Sequence, residues 1–95
     1  MRDYELVTIW NPDIGDDGVT GALERLSSSI TSRGGEVADT NVWGRRRLAY
    51  SIKKHAEGIY VVMELKLQPA QASDLESQLR INEDVLRHLL VRKDS

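Results

Sequence analysis

The 95-residue sequence predicts an α+β sandwich with the element order β-α-β-β-α-β, in which a four-stranded antiparallel sheet carries two helices on one face. Three observations support this prediction. Runs rich in β-branched residues alternate between two sides, two other segments repeat apolar residues at helical spacing, and Gly or Pro separate the elements. Right-handed crossovers place both helices on the same side of the sheet. A chain of this length suits one domain, spanning residues 1–95.

The first predicted strand covers residues 4–10 and ends at an Asn-Pro turn signal. Leu6 and Trp10 fall on one of its faces, whereas Val7 and Ile9 fall on the other. Apolar residues on both faces are typical of a central strand whose second face is not simply left to water.

The first predicted helix follows a loop over residues 12–18. Asp16 and Asp17 are predicted to cap this helix and to complement its positive N-terminal end. Its apolar stripe has the spacing i, i+3, i+4, i+7, i+11 and consists of Val19, Ala22, Leu23, Leu26 and Ile30. Gly34-Gly35 is expected to end the helix.

Two further strands are predicted over residues 36–43 and 59–67, with the basic run between them as their connecting loop. Gly44 indicates a bulge or bend after the first of these strands. In the second, alternate residues are expected to contact the helices, namely Ile59, Val61, Met63, Leu65 and Leu67. Tyr60 and Val62, with Val7 and Ile9 of the first strand, then leave the opposite face of the sheet partly apolar.

The second helix is predicted to begin at Pro69, because proline is tolerated in the first turn. Its buried stripe consists of Ala72, Leu75 and Leu79. Residues 85–91 form the last predicted strand, in which Leu86 and Leu90 share a side with His88. The complete order is the split βαβ pattern of ferredoxin-like sandwiches.

The most distinctive stretch is residues 43–60, WGRRRLAYSIKKHAEGIY. Its cations are Arg45, Arg46, Arg47, Lys53 and Lys54, and no carboxylate occurs until Glu57. Because the whole chain has a formal net charge of −2, this concentration indicates a local polyanion contact. Trp43 and Tyr50 flank the arginines, as in RNA-binding surfaces where bases stack on rings. The alternative, a solvated hairpin tip whose rings pack on the sheet, stays open.

The sequence contains few of the residue patterns that catalysis or metal binding requires. The sequence has no cysteine, and neither His55 nor His88 lies in a metal-ligand spacing. The serines lack a G-x-S-x-G elbow. We therefore expect no enzyme, no catalytic residue, no cofactor and no metal. No secretory signal begins the chain, and its longest apolar run, residues 59–63, is too short for a membrane helix.

Three motifs in order resemble the bacterial ribosomal small-subunit protein S-six family. They are M-R-x-Y-E at residues 1–5, WGRRRLAY-x-I-K-K followed by GIYVV in the centre, and LRINEDVLRHLLVR at residues 79–92. The resemblance covers essentially the whole chain and implies the ferredoxin-like fold with the first and third strands central. Ser51 departs from the family, which usually has proline there, and this departure is expected to loosen the connecting loop.

The resemblance implies a structural component of the small ribosomal subunit, cytoplasmic and ribosome-associated. It further implies binding of small-subunit rRNA together with ribosomal protein S-eighteen, with no membrane and no small-molecule substrate. The positions that match the family motifs are the expected RNA-binding residues: Arg2, Tyr4, Trp43, Arg45, Arg46, Arg47, Tyr50, Lys53, Lys54, Arg80, Asn82 and Arg87. Which of them contact RNA rather than S-eighteen or the core is left open.

Two other functions compete with this interpretation. A small ferredoxin-like metabolite-binding regulatory domain predicts little change in ligand binding when the arginines at 45–47 become alanine. A ferredoxin-like enzyme requires a pocket with convergent polar groups, and no sequence motif indicates one. The fold alone does not separate these functions, because this architecture hosts unrelated activities.

Overall fold

The computed structural model describes residues 1–93 and confirms the predicted order of elements. The elements are β1 (Arg2–Trp10), a 3-10 turn (Pro12–Ile14), α1 (Gly15–Ser32), β2 (Glu36–Ile52), β3 (His55–Leu67), α2 (Pro69–Ile81) and β4 (Val85–Arg92). All strand pairs are antiparallel, and the strand order in the sheet is β2-β3-β1-β4. β1 and β3 are therefore the central strands, as both the apolar pattern of β1 and the family resemblance imply.

The main core lies between the two helices and one face of the sheet. Every second residue of β3 from Ile59 to Leu67 is at most 1% exposed, which confirms the predicted alternation. The helical stripes supply the buried residues Val19, Leu23, Ile30, Ala72, Leu75 and Leu79. Since full burial of one such aliphatic side chain contributes roughly 1.5–3 kcal/mol, this layer provides most of the apolar stabilisation.

Two buried polar side chains in this layer are hydrogen-bonded within the chain. Thr8 is fully buried on β1, where its Oγ1 accepts from Trp10 Nε1 at 2.8 Å and donates to the carbonyl of Val61 at 3.4 Å. Gln71 of α2 donates from Nε2 to the carbonyl of Ile30 at 2.8 Å. The second bond ties α2 to the C-terminal end of α1, because Ile30 lies in the last turn of that helix.

α1 begins at Gly15, inside the loop predicted over residues 12–18. The 3-10 turn before it leads directly into the helix, so Asp16 and Asp17 lie in the first helical turn. The N-cap position is Ile14, which makes no side-chain capping bond. The predicted capping by the two aspartates is therefore wrong, and their carboxylates contribute only through the favourable charge at the helix N-terminus.

The basic segment is not the connecting loop that the sequence predicted. β2 continues through it to Ile52, and only Lys53 and Lys54 form the turn into β3 at His55. We call the paired extension over residues 43–60 the arm. The sequence predicts a loop here because the long charged run lacks the period-two pattern of a half-buried strand.

Two of the three register shifts in the β2–β3 pairing lie along the arm and explain why that pattern is missing. The register shifts between Val42 and Gly44, so that Trp43 is an extra residue, and Gly44 has a φ of 88°. This confirms the predicted bulge. A second shift lies between Arg47 and Ile52. Each bulge changes which side the following residues face and increases the local twist, and alternation is lost along the arm.

The arm bends over one end of the open face, the sheet face without helices. There Leu48 packs with Ile9 and Leu86 in a second apolar cluster. Gly58 makes this close approach possible, because a Cβ at that position would overlap Cγ2 of Ile9. The arm is thus anchored on β1 and β4.

Leu86 lies on the opposite face from the one predicted. The pairing of β1 with β4 shifts between Ile9 and Trp10, which makes Leu86 the extra residue there. His88 and Leu90 keep the helix side, whereas Leu86 faces the arm. Simple alternation places all three on one side because it contains no signal for a bulge.

We predict that Gly58→Ala destabilises the protein by about 1–3 kcal/mol, because the added methyl group forces Ile9 and the arm apart. The penalty should shrink in an Ile9→Ala background, where the clashing methyl is absent. Urea unfolding of the two single variants and the double variant measures this coupling.

Gly21→Ala is the matched control. Gly21 lies within α1, and a Cβ there would meet only the flexible end of Arg25 at 3.4 Å. This variant should gain about 0.5–1 kcal/mol from the better helix former. An equal loss of stability for Gly58→Ala in both Ile9 backgrounds would contradict the close contact.

Candidate nucleic-acid interface

The arm and the adjoining start of β4 bring together most of the residues that the sequence singled out. They are Trp43, Arg45, Arg46, Arg47, Tyr50, Lys53, Lys54 and Arg87. Arg87 Nη1 donates to the Tyr50 hydroxyl at 2.8 Å, and Lys53 Nζ donates to the carbonyl of Val85 at 3.3 Å. Arg87, distant in sequence, joins the group because the arm bends towards β4.

The remaining sequence-predicted residues lie elsewhere. Arg2 and Tyr4 are at the start of β1, at the end of that strand away from the arm. Tyr4 is only 8% exposed and belongs to the main core, so its ring is not presented to a base. Arg80 is exposed in the last turn of α2. Asn82 follows that helix, and its Oδ1 accepts from the backbone of Asp84 at 2.9 Å, which supports the turn into β4.

Two cations of the arm are directed at the chain itself. Arg45 lies 3.9 Å from the Glu57 carboxylate and donates to the carbonyl of Pro12 at 3.4 Å. Lys53 donates to the carbonyl of Val85. The bond to Pro12 tethers the arm to the turn after β1, and the bond to Val85 tethers it to the start of β4.

The other three cations of the arm are Arg46, Arg47 and Lys54, which we call the outer cations; Arg46 donates to the carbonyl of Trp43 at 3.5 Å. All three are exposed, and within residues 1–93 none forms an ion pair with a carboxylate. Exposed cations without acidic partners raise the local positive potential and attract polyanions. The outer cations are therefore the part of the arm best suited to phosphate groups.

Trp43 carries an exposed ring that contacts one of the outer cations, Arg46. Its ring stacks on Tyr60 with centroids 6.5 Å apart and an interplanar angle of 10°. The guanidinium carbon of Arg46 lies 6.0 Å from the Trp43 ring centroid, within the range of a cation–π contact. Trp43 remains 52% exposed. These contacts orient the ring without covering it.

A row of carboxylates crosses the open face at the end away from the arm, and no sequence pattern indicated it. The strand register places Glu64 directly opposite both Asp39 on β2 and Glu5 on β1. We call these three residues the acidic row. Lys93 Nζ donates to Glu64 at 2.9 Å, and this hydrogen bond together with the charge of Glu64 raises the pKa of Lys93. Like charges directly opposite each other destabilise a sheet, so the row favours a cationic partner.

An apolar patch separates the acidic row from the arm. The register sets Val62, Val7 and Leu89 side by side on β3, β1 and β4, with Val91 next along β4. Leu89 is 58% exposed and Val91 is 42% exposed. Val7 and Val62 belong to the partly apolar face that the sequence predicted, whereas Ile9 and Tyr60 of that face pack in the cluster with Leu48. The strongest exposure of the patch lies on the edge strand β4.

The described part of the chain offers little else for chemistry. Within residues 1–93 no group of three or more histidines or carboxylates is arranged to hold a metal ion. None of the helices in that range is long and apolar enough to cross a membrane.

Comparisons with known proteins agree with this architecture. Residues 3–92 match the family model described as Ribosomal protein S6. The Small ribosomal subunit protein bS6 of Mycolicibacterium paratuberculosis is 48% identical over 94 residues, covering 99% of this chain and 98% of the relative. The protein of the same description from Desulforudis audaxviator is 45% identical, covering 99% and 100%. The crystal structure of 30S ribosomal protein S6 from Thermotoga maritima gives a TM-score of 0.90 at 28% identity, covering 97% of this chain and 87% of that chain.

We predict that Glu5→Gln raises the free energy of unfolding by about 0.2–1 kcal/mol at low ionic strength, because it removes one like-charge pair from the acidic row. The gain should fade as salt screens the exposed charges. Urea unfolding at low and high salt measures it. Glu83→Gln, an exposed turn residue outside the row, is the control, and an equal gain there would contradict the repulsion.

Proposed function

This chain belongs to the ribosomal protein S6 family, and on that basis we propose that it is a structural component of the bacterial small ribosomal subunit. In this proposal it binds small-subunit rRNA jointly with ribosomal protein S-eighteen, on ribosomes in the cytoplasm, and has no catalytic role. The observation that carries the RNA contact is the set of outer cations, which form no ion pair with any carboxylate of residues 1–93 although the chain as a whole is acidic. A metabolite-binding regulatory role accounts for neither this arm nor the family match.

The proposed RNA contact consists of Arg46, Arg47 and Lys54 on phosphates, with Trp43 beside them for an exposed base. Arg forks match phosphate oxygens in a bidentate way, and aromatic rings stack on bases of any identity. Three phosphate contacts correspond to a slope of log affinity against log salt of about −2 to −3. A salt slope of this size indicates a modest electrostatic contribution, which favours joint binding with a second protein.

The proposed protein contact is the open face, where the apolar patch adjoins the acidic row. A basic protein seated there covers the exposed Leu89 and Val91 and brings cations to Glu5, Asp39 and Glu64. Complementary charge of this kind steers association and fixes orientation. The partner then supplies phosphate neutralisation that an acidic chain lacks, and the arm adds a local contact with the same RNA.

The arm is tested with the double substitution Arg46→Ala/Arg47→Ala. We expect the rRNA affinity of the chain–partner complex to fall and its salt slope to become smaller in magnitude by about 1.4–1.8, because two phosphate contacts are lost. Filter binding across a salt series, with and without the partner, measures both quantities.

Arg25→Ala is the control for the arm, since Arg25 is an exposed arginine on α1. It should leave the slope unchanged. The joint-binding proposal fails if the chain alone binds rRNA tightly and with strong salt sensitivity, and the arm contact fails if both variants behave alike.

The open face is tested with Leu89→Asp. Because Leu89 is already exposed, folding should be preserved, while partner affinity should fall at least tenfold through loss of apolar contact and burial of a charge. Isothermal titration with the purified partner measures the loss. Ile81→Asp is the matched control, since Ile81 is 80% exposed on α2. Partner affinity unchanged in Leu89→Asp would refute this interface.

A further inference from the structure

We propose that the two lysines at the tip of the arm have different tasks: Lys54 binds an RNA phosphate directly, whereas Lys53 positions the tip by bonding to β4. This inference rests on the proposed RNA-binding function and deepens it, because it assigns one direct contact and one positioning residue within a pair of adjacent, chemically identical side chains.

The backbone of the turn is the first observation. Lys53 has a φ of 49° and Lys54 a φ of 70°, and within residues 1–93 they are the only residues other than glycine with positive φ. Two-residue hairpin turns of this kind strongly prefer Asn-Gly or Asp-Gly, because a Cβ is crowded in the left-handed region. Turn stability therefore does not explain lysine at either position.

A contact within the protein explains why a lysine occupies position 53 despite the positive φ. Its ammonium donates to the carbonyl of Val85, the first residue of β4, at 3.3 Å. The bond lies close to two other arm contacts, the packing of Leu48 on Leu86 and the Tyr50–Arg87 hydrogen bond. Lys53 thus holds the tip of the arm against the sheet.

No contact within residues 1–93 explains in the same way why a lysine occupies position 54. Its side chain is exposed and makes no hydrogen bond or ion pair within residues 1–93. A backbone strain that brings no intramolecular contact points to a ligand outside the chain. The nearest carboxylate in sequence, Glu57, lies beside Arg45.

The chemical class of this ligand follows from the neighbours of Lys54. Arg46 and Arg47 lie on the same arm, and neither forms an ion pair with a carboxylate in the described part of the chain. A polyanion with regularly spaced charges satisfies all three, and a lysine ammonium acts on it as a compact point charge for one phosphate. The phosphate backbone of RNA has this spacing, so Lys54 extends the contact of the outer cations to the tip of the arm.

Three substitutions at Lys54 separate its charge from its backbone strain. Lys54→Arg keeps both and should preserve the salt slope of rRNA binding by the chain–partner complex. Lys54→Gln removes only the charge, so the slope should become smaller in magnitude by about 0.7–0.9 with the melting temperature unchanged. Lys54→Gly removes both, so it should show the same loss of slope together with a rise in melting temperature of about 4–8 °C.

Lys53→Gln is the matched control at the adjacent position. It should lower the melting temperature, since the bond to β4 is lost, and leave the salt slope unchanged. Filter binding across a salt series and thermal unfolding of each variant supply the two readouts.

The assignment is overturned if Lys54→Gln keeps the wild-type slope, if Lys54→Arg loses as much as Lys54→Gln, or if Lys53→Gln lowers the slope equally. No rise in melting temperature for Lys54→Gly would overturn the inference from strain. Failure of the proposed function is distinguishable, because Arg46→Ala/Arg47→Ala would then also leave rRNA binding intact.

Discussion

The contact between the arm and the open face is the constraint on which the proposed interface depends. A two-stranded extension alone is marginally stable in water, and this one is fixed by burying Leu48 against Ile9 and Leu86. That burial requires a residue without a side chain at Gly58. The conformational entropy of the arm is therefore lost during folding and not on binding. A ligand binds to cations that are already in position.

The charge distribution explains how an acidic chain offers a surface to a polyanion. Arg45 and Lys53 make contacts within the fold, whereas the outer cations form no ion pair with a carboxylate of residues 1–93. The carboxylates of the acidic row lie at the other end of the open face. The local charge at each end of the sheet, rather than the net charge of the chain, determines what that end attracts.

The sequence predicted every element whose side chains alternate without interruption. β3 is the best case, since Met63 and its alternate neighbours follow strict period two and are buried as expected. Alternation does not place Leu86 or the arm correctly, because a register shift reverses the side that later residues face. The shift at Leu86 involves one extra residue, and the second shift in the arm sets residues 48–51 against Ala56 alone. The sequence does not predict the acidic row, for a related reason. Its members come from three strands, and only the register, which the sequence does not state, sets Asp39 and Glu5 on either side of Glu64.

The two tryptophans lie in unlike environments, and this makes them separate optical reporters. Trp10 is 1% exposed beneath the helices, with its indole nitrogen bonded to Thr8. Trp43 is half exposed on the arm, stacked on Tyr60 and close to a guanidinium. Emission from Trp10 follows loss of the main core, whereas emission from Trp43 follows rearrangement at the bulge. Replacing either indole with phenylalanine yields a protein whose fluorescence distinguishes global unfolding from a local event in the arm.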